Sequence, residues 1–330
     1  METFRFGKTV IEDTHAEASD GLYCRLLITG ERGLTKKDTY SPFPDYDPLR
    51  DAALRFASTP AVVVNRTESG IERWLPKSQT PDGREGAVVQ IWAMYNNKKP
   101  LEEQVEMLNE EMSIKLRQDV LSASGGTTRI FDWFGSKHKP VYVINTEERV
   151  GKCGGRYETY VEEYGRRAIN IPLMMGDDFK IDKTIKCGKG ISGGNFWLLC
   201  DNIKTARKAG RASIEAIKEV DEVITSFKIC PSGSTAENYP PIGPPTNYLY
   251  CPTLKERLGV KSKVPRGVKS IPEIVIDGTS LPAVKNAMKK GITAASEVRG
   301  VKMISAGNYE GKVGNHKIHL KDLVLEELFS

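Results

Sequence analysis

Two patterns of apolar residues alternate along the chain, one typical of strands and one typical of helices. The elements that they predict come in the same order in both halves. Apolar runs rich in β-branched residues predict buried strands, and apolar residues three or four positions apart predict helices. The first half has a strand at 22–30, a helix that begins at Asp47 and ends before Pro60, strands at 61–65 and 87–95, and a helix at 101–116. The second half has a strand at 195–200, a helix at 203–217, strands at 222–229 and 271–276, a helix at 281–292 and a strand at 301–305.

This order, β-α-β-β-α-β in each half, is that of a ferredoxin-like lobe built on a split β-α-β unit. We therefore predict the α+β class, with antiparallel sheets and helices packed on one face, rather than a doubly wound parallel sheet. The boundary is expected after the segment RRAINIPLMM, which gives an N-terminal lobe at 1–174 and a C-terminal lobe at 175–330.

Composition narrows the class of protein. Of the 330 residues, 39% are hydrophobic and 28% are charged, and the formal net charge is +5. No apolar run reaches the ~18 residues that span a bilayer, and the N-terminus lacks the apolar region of a signal peptide. We therefore expect a cytoplasmic protein without membrane contact. The mild positive charge suits small anions and is too weak to predict nucleic-acid binding.

The cysteines and histidines do not predict a metal site. The six cysteines are scattered without a C-x-x-C pair, as is typical of free thiols in a reducing compartment. None of the four histidines is near a cysteine in sequence. His316 and His319 are three residues apart, but their segment is predicted to be strand or loop, where that spacing does not place two ligands on one face.

The glycine-rich segment at 188–193 matches G-x-G-x-x-G but lies in the wrong context for a dinucleotide. That fingerprint follows a strand and opens a helix, whereas this segment precedes a predicted strand. Its glycines either bring backbone N–H groups to a ligand or form a tight turn. Three long connections, at 31–46, 133–168 and 231–269, are either functional or surface elaborations. The last, rich in Pro and Tyr, favours an ordered loop that lines a site.

Glu273 is the most informative single residue, because it lies inside an apolar strand. Burial without a cation raises the pKa of a carboxyl group, and a carboxyl that stays protonated can act as a donor or general acid. The alternative is a salt bridge at a sheet edge or a subunit interface. Pro272 supports an edge, because proline is confined to edges and bulges.

Several sequence blocks together resemble one family, the formylmethanofuran–tetrahydromethanopterin formyltransferases. The blocks follow the family order and span nearly the whole chain: IEDTHAEA at 11–18, LLITG at 26–30, TPDGREG at 80–86, SGGNFWLL at 192–199, TNYLYCPT at 246–253, EIVIDG at 273–278 and ISAGNYEGKVGNHKIHLKDL at 304–323. The resemblance implies two ferredoxin-like lobes and a homodimer or homotetramer with active sites where subunits meet. It also implies formyl transfer between formylmethanofuran and tetrahydromethanopterin, both coenzyme substrates, without a prosthetic group or metal.

The resemblance assigns the catalytic role to Glu273, because the acidic residue of the family lies in the motif that EIVIDG matches. Attack of the pterin nitrogen on the formamide carbon forms an oxyanion, to which a protonated carboxyl can donate; such a donor typically contributes ~3 kcal/mol. With no G-x-S-x-G elbow or Cys–His pairing, direct transfer in a ternary complex is the simpler mechanism. Cys251 is not favoured as a nucleophile, because no histidine is near it in sequence.

Further blocks supply candidate substrate-binding residues, each with a turn or packing role as the alternative. The candidates are Gly193, Gly194, Asn195, Phe196, Tyr250, Thr253, Asn308 and Lys312. Backbone groups of the two glycines, the Asn195 amide and the Phe196 ring would line a coenzyme cleft. Lys312 would pair with a coenzyme carboxylate or phosphate.

Three alternatives stay open beside this prediction. The chain is a formyltransferase subunit that works with a formyl hydrolase and delivers formate, a divergent paralogue with a modified coenzyme, or a non-catalytic RNA-binding module. Departures from the family pattern at 31–46 and 122–132, and the basic charge, favour the paralogue. The RNA-binding module is disfavoured, because adjacent Phe196 and Trp197 face opposite sides of a strand and cannot form a stacking platform.

Overall fold

The computed structural model of the protein describes residues 2–31, 47–58, 65–122, 128–135, 137–233 and 247–325. The chain forms two units. The middle unit is residues 22–189, and the terminal unit combines residues 1–21 with residues 190–330. The expected boundary between residues 174 and 175, which divides the chain into continuous lobes, stays a prediction.

The described residues contain the following strands and α-helices. The strands are β1 Thr3–Phe6, β2 Thr9–Glu12, β3 His15–Gly30, β4 Glu68–Leu75, β5 Glu85–Met94, β6 Arg129–Asp132, β7 Tyr142–Asn145, β8 Thr159–Glu163, β9 Arg166–Pro172, β10 Asp178–Asp182, β11 Thr184–Cys200, β12 Val223–Ile224, β13 Glu273–Gly278, β14 Val301–Ser305 and β15 His316–His319. The helices are α1 Pro48–Ala57, α2 Leu101–Lys115, α3 Ile203–Ile217, α4 Lys255–Leu258, α5 Leu281–Ser296 and α6 Leu320–Leu325. None of these helices has the length and hydropathy of a membrane span.

In the terminal unit, strands pair in the order β1-β2-β14-β11-β13-β12. The β2–β14 pair is parallel and the other pairs are antiparallel. Helices α3 and α5 pack on each other and on this sheet, because each has a stripe of apolar and small residues. Their core includes Phe196, Ile214, Ile276, Val284 and Met288. One face of the central strand β11 is therefore buried under helices.

In the middle unit, strands pair in the order β4-β5-β3-β6-β10-β9-β8. The β6–β10 pair is parallel, whereas β3–β6, β4–β5, β9–β10 and β8–β9 are antiparallel. Helix α1 begins as the sequence predicts, because Asp47 accepts a hydrogen bond from the Arg50 N–H and Pro48 occupies the first turn. Apolar residues of α1 and α2 then join the core of this unit.

The α+β class is confirmed, but the prediction of purely antiparallel sheets is wrong, because each unit contains one parallel pair. In the terminal unit, the N-terminal strands extend the sheet beyond β14. The predicted strand at 222–229 shortens to β12, and the one at 271–276 begins later, at Glu273. Residues 61–64 of a predicted strand and residues 32–46 of the first long connection lie outside the described residues.

Candidate active site

Glu273 is the first residue of β13, and the sheet flanks it on both sides. Trp197 of β11 is its partner across one side, and Cys230 forms an isolated bridge to it on the other. The backbone N–H of Glu273 donates to the Cys230 carbonyl at 2.8 Å, and the Cys230 N–H donates back at 2.9 Å. The sheet edge of the salt-bridge alternative is therefore absent at this position. No described residue forms an ion pair with the carboxylate, so the salt-bridge alternative has no partner within the described ranges.

Glu273 is 9% exposed, and its carboxyl has two uncharged polar neighbours. The Trp197 indole Nε1–H donates to Oε1 at 3.2 Å, and Ser232 lines the same cavity and lowers the pKa of the carboxyl. Burial raises the pKa of this carboxyl, and the bonds from Trp197 and Ser232 oppose the rise without cancelling it. A carboxyl with a raised pKa and no cation beside it is suited to holding a proton.

A cavity of about 60 Å³ opens beside this carboxyl. Its lining includes Trp197, Ser232, Asn247, Tyr250, Cys251 and Glu273. A water molecule needs roughly 10–15 Å³ of cavity volume, so the cavity has room for a group of a few atoms beside the carboxyl. The Trp197 and Tyr250 rings meet edge to face in its wall, with centroids 4.9 Å apart.

Tyr250 is held in that wall by a second buried carboxyl group. Its hydroxyl donates to Glu12 Oε1 at 3.4 Å, and Ser305 Oγ donates to Glu12 Oε2 at 2.5 Å. Burial, with the nearby Glu12 carboxylate, raises the pKa of the Tyr250 phenol. Of the predicted binding residues, Tyr250 is the one that shares the cavity with Glu273.

The glycines of the G-x-G-x-x-G segment lie inside β11, so the alternative of a tight turn before a strand is wrong. The register of β11 against β13 shifts between Ile191 and Gly194, which marks a bulge. Gly193 takes φ +89° there, and its N–H donates to Asp277 Oδ1 at 2.9 Å. A Cβ on Gly194 would lie 2.3 Å from Val284 Cγ1, so this glycine permits the close approach of α5.

Phe196 is fully buried in the core of the terminal unit, on the face of β11 covered by α5. A Cβ on Gly291 would lie 2.8 Å from its ring, which shows how closely the helix packs there. The expectation that Phe196 lines a coenzyme cleft as a stacking ring is therefore wrong. Strand alternation places its neighbour Trp197 on the cavity side instead.

Asn195 connects the bulge to the loop after β14. Its Nδ2 donates to the Gly193 carbonyl at 3.0 Å, and its Oδ1 accepts the Gly307 N–H at 2.7 Å. The same loop contains Asn308, a half-buried residue whose Nδ2 donates to Thr14 Oγ1 at 3.2 Å. Among the described contacts, the Asn195 amide therefore binds backbone groups and the Asn308 amide binds a neighbouring hydroxyl. Neither residue lines the Glu273 cavity.

The remaining candidates, Lys312 and Thr253, are exposed. Lys312 Nζ donates to Glu310 Oε2 at 2.8 Å, and the Thr253 hydroxyl contacts Cys251 Sγ at 3.2 Å. Both lie outside the cavity lining. The structure therefore groups Glu273 with Tyr250 and leaves these two on the surface.

The sequence patterns do not predict that Trp197, Ser232 and Asn247 line the cavity with Glu273. Strand alternation predicts that Trp197 and Phe196 face opposite sides of β11, but it does not predict which of the two rings faces the helices. Ser232 and Asn247 belong to the long 231–269 connection, which the sequence marked as lining a site without indicating individual residues. Within the described residues, no group of three His, Cys, Asp or Glu side chains is placed to hold a metal ion.

Comparison with known families assigns the chain. Residues 4–173 match the model of formylmethanofuran-tetrahydromethanopterin formyltransferase, and residues 177–323 match the model of its proximal lobe. The chain belongs to the formylmethanofuran–tetrahydromethanopterin formyltransferase family. The resemblance inferred from the sequence blocks is thus confirmed over nearly the whole chain.

Individual members of the formyltransferase family cover the chain almost end to end. A protein of Archaeoglobus fulgidus named a formylmethanofuran–tetrahydromethanopterin formyltransferase-like protein is 43% identical over 316 residues, 95% of this chain and 96% of that protein. The solved Methanosarcina barkeri formyltransferase is similar with a TM-score of 0.80 and 31% identity, over 97% of this chain and 100% of that one. A chain of the formyltransferase/hydrolase complex of Methylorubrum extorquens, solved with methylofuran, gives a TM-score of 0.80 at 26% identity over 98% and 99%.

Proposed function

We propose that the protein is an N-formyltransferase that moves a formyl group between formylmethanofuran and tetrahydromethanopterin, by direct transfer in a ternary complex. Family membership supports the reaction. The observation that carries the mechanism is the buried Glu273 carboxyl at the wall of a small cavity, with a raised pKa and no cation paired to it among the described residues. Both coenzymes enter as substrates, and the proposed reaction requires no bound cofactor or metal.

In this mechanism, Glu273 stabilises the oxyanion of the tetrahedral intermediate. The pterin nitrogen attacks the formamide carbon, and the protonated carboxyl donates to the oxygen as negative charge develops on it. On collapse the methanofuran nitrogen leaves with a proton, and the pterin nitrogen loses one. A preorganised donor in a site with little water contributes ~3 kcal/mol to lowering the barrier.

The size of the cavity restricts what reaches Glu273. At about 60 Å³ it fits the formyl carbon, its oxygen and the attacking nitrogen, while the bodies of both coenzymes extend outside it. Tyr250 would border the formyl group, because its ring lines the cavity next to Trp197. Alignment of the two reacting atoms then supplies a large share of the rate enhancement.

Coenzyme binding outside the cavity is proposed for the other predicted residues. The positions of Asn195 and Asn308 support this role, because Asn195 of β11 bonds the loop after β14 and Asn308 belongs to that loop. Lys312 offers an exposed cation for a coenzyme carboxylate or phosphate, in exchange for its surface pair with Glu310. Gly193, Gly194 and Thr253 are retained as backbone or hydroxyl contacts.

We also propose that each lobe is ferredoxin-like, with the boundary at 174/175. The sheet order β14-β11-β13-β12 supports this in the terminal unit, because the element order β11-α3-β12-β13-α5-β14 then folds as a split β-α-β unit. In the middle unit, the order β6-β3-β5-β4 and the elements β3-α1-β4-β5-α2-β6 support it in the same way.

The proposed partners are a second copy or three further copies of the chain, with active sites at the subunit interfaces. A second candidate role, as the formyltransferase subunit beside a formyl hydrolase, is supported by the likeness to the Methylorubrum extorquens complex. A divergent paralogue with a modified coenzyme is supported by the identity to relatives named formyltransferase-like. A cytoplasmic location is supported by six cysteines that are all free thiols.

The test is formyl transfer by the purified protein from formylmethanofuran to tetrahydromethanopterin, followed by pterin absorbance. Direct transfer predicts sequential kinetics and no release of methanofuran until the pterin is added. Ping-pong kinetics would refute direct transfer. Absence of turnover in the folded protein would refute the proposed substrates, and formate release with a co-purifying metal-dependent amidohydrolase would favour the hydrolase role.

A further inference from the structure

We propose that Ser232 is the positioning residue for Glu273, and that Asn247 sets the direction of its hydroxyl. The inference rests on the proposed function, because it deepens the role of the same carboxyl. Ser232 lines the cavity with Glu273, two residues after the Cys230 bridge to that glutamate. We infer that its hydroxyl donates to the Glu273 carboxyl, whose pKa it lowers from within the same cavity.

The backbone of Ser232 is in an uncommon conformation for its residue type. It takes φ +47°, in the left-handed region that favours glycine. A non-glycine residue in such a region costs about 1–3 kcal/mol and persists where the surrounding structure holds it. A serine at this position therefore needs a reason, and the hydroxyl it brings to Glu273 supplies one.

Asn247 makes that hydroxyl a donor to Glu273. Asn247 Nδ2 donates to Ser232 Oγ at 2.9 Å and to the Gly233 carbonyl at 3.4 Å. A serine hydroxyl has a single proton. With its oxygen already accepting from Asn247, that proton is directed to the carboxyl.

Tyr309 fixes the orientation of the Asn247 amide. Its hydroxyl donates to Asn247 Oδ1 at 3.4 Å, which leaves Nδ2 facing Ser232. Tyr309 is itself anchored through its backbone N–H, which donates to the buried Glu17 carboxylate at 2.6 Å. Hydrogen bonds thus link Glu17 to the Tyr309 backbone, the Tyr309 hydroxyl to Asn247, and Asn247 to Ser232, which shares the cavity with Glu273.

The other titratable groups that face Glu273 are Cys230, Tyr250, Cys251 and Tyr309. Burial raises the pKa of Cys230, Tyr250 and Tyr309, so none of these three adds charge beside the carboxyl. Among the described residues, the donors from Ser232 and Trp197 are therefore what opposes the effect of burial on Glu273.

The experiment compares Ser232→Ala, Ser232→Gly and Asn247→Leu with the wild type in the intact protein. Ser122→Ala is the matched control, because its exposed hydroxyl bonds only the Arg117 carbonyl among its described contacts, in the other unit. We expect about a tenfold loss of kcat in the three variants with KM changed less than about twofold. Loss of the donor also raises the pKa of Glu273. The alkaline limb of the pH profile of kcat/KM should therefore shift to higher pH by roughly 0.5 to 1 unit.

A second readout is independent of turnover. The infrared carbonyl band of a protonated carboxyl is followed against pH, with Glu273→Gln identifying the band. We expect the band to persist to higher pH in Ser232→Ala and Ser232→Gly.

The proposal is overturned if Ser232→Gly keeps wild-type kcat while Ser232→Ala loses it, because residue 232 then acts through its backbone conformation and not through its hydroxyl. It is also overturned if neither the limb nor the band moves. An inactive wild type whose band shifts in the variants refutes the proposed function and leaves the positioning role intact.

Discussion

Replacement of Glu17 by glutamine tests how the loop after β14 is held. The carboxylate is 2% exposed and accepts four backbone N–H groups of that loop. Oε1 accepts from Tyr309 at 2.6 Å and Gly311 at 2.7 Å, and Oε2 accepts from Val313 at 3.0 Å and Gly314 at 3.2 Å. Glutamine keeps one acceptor oxygen and turns an NH₂ group toward the other pair of donors.

The expected cost follows from those two donors. A buried donor left without a partner costs about 1–3 kcal/mol, and the second pair is only partly buried. We therefore expect Glu17→Gln to lower the free energy of unfolding by about 2 to 4 kcal/mol. Urea unfolding measures this loss, and limited proteolysis should show new cleavage at residues 308–314. Glu219→Gln is the control, because the only side-chain contact of Glu219 among the described residues is an exposed pair with Lys290, whose loss is worth at most about 0.5 kcal/mol.

The effect of Glu17→Gln also depends on pH. Although burial opposes it, the four backbone N–H groups hold the pKa of Glu17 below its ordinary value of 4.5. A lowered pKa in the folded state gives stability that is present above the unfolded value and lost as pH falls through the folded value. The difference between wild type and variant should therefore be full at neutral pH and shrink below about pH 4. Equal unfolding free energies of Glu17→Gln and Glu219→Gln at pH 7 would refute the reasoning.

Three further predictions concern other contacts. Gly194→Ala should destabilise the protein by about 1–3 kcal/mol in urea unfolding, because the new Cβ lies 2.3 Å from Val284 Cγ1; adding Val284→Ala should make the combined loss smaller than the sum of the two. Alkylation of the native protein, read by mass spectrometry, should modify exposed Cys153 and spare Cys24, Cys187 and Cys200, since all three are buried and burial raises the pKa of Cys200 to about 12; labelling of Cys200 before unfolding would contradict this. Trp197→Phe removes the Nε1 donor to Glu273, so the alkaline limb of kcat/KM should move upward by roughly 0.5 to 1 pH unit, and a downward move would contradict the assignment.

The sequence was sufficient for the elements and for the catalytic candidate because both rest on local signals. Asp47 followed by Pro48 marks a helix start wherever it occurs, and the structure begins α1 there. Glu273 was identified because a carboxylate inside an apolar strand is a local anomaly. Its burial follows from the same pattern.

The surroundings of Glu273 were not predictable, because they depend on strand register and on residues distant in sequence. Trp197 is 76 positions away and meets Glu273 only through the pairing of β11 with β13. The sequence misplaces Phe196 in a cleft, because strand alternation puts Phe196 and Trp197 on opposite faces of β11 but does not indicate which face the helices cover. The glycine-rich segment was interpreted as a turn or ligand loop, since a bulge inside a long strand has the same local sequence.

The role of the Glu273 carboxyl is tested most directly by the kcat for formyl transfer of Glu273→Ala and Glu273→Gln beside the wild type, with folding of each variant verified. We expect a loss of at least about a hundredfold for alanine, which removes the oxyanion donor, and a smaller loss for glutamine, whose amide N–H still donates. Glu219→Gln should keep wild-type kcat, because the Glu219 side chain is exposed and does not line the cavity. A Glu273→Ala variant that turns over within about threefold of the wild type would contradict the role assigned to this carboxyl.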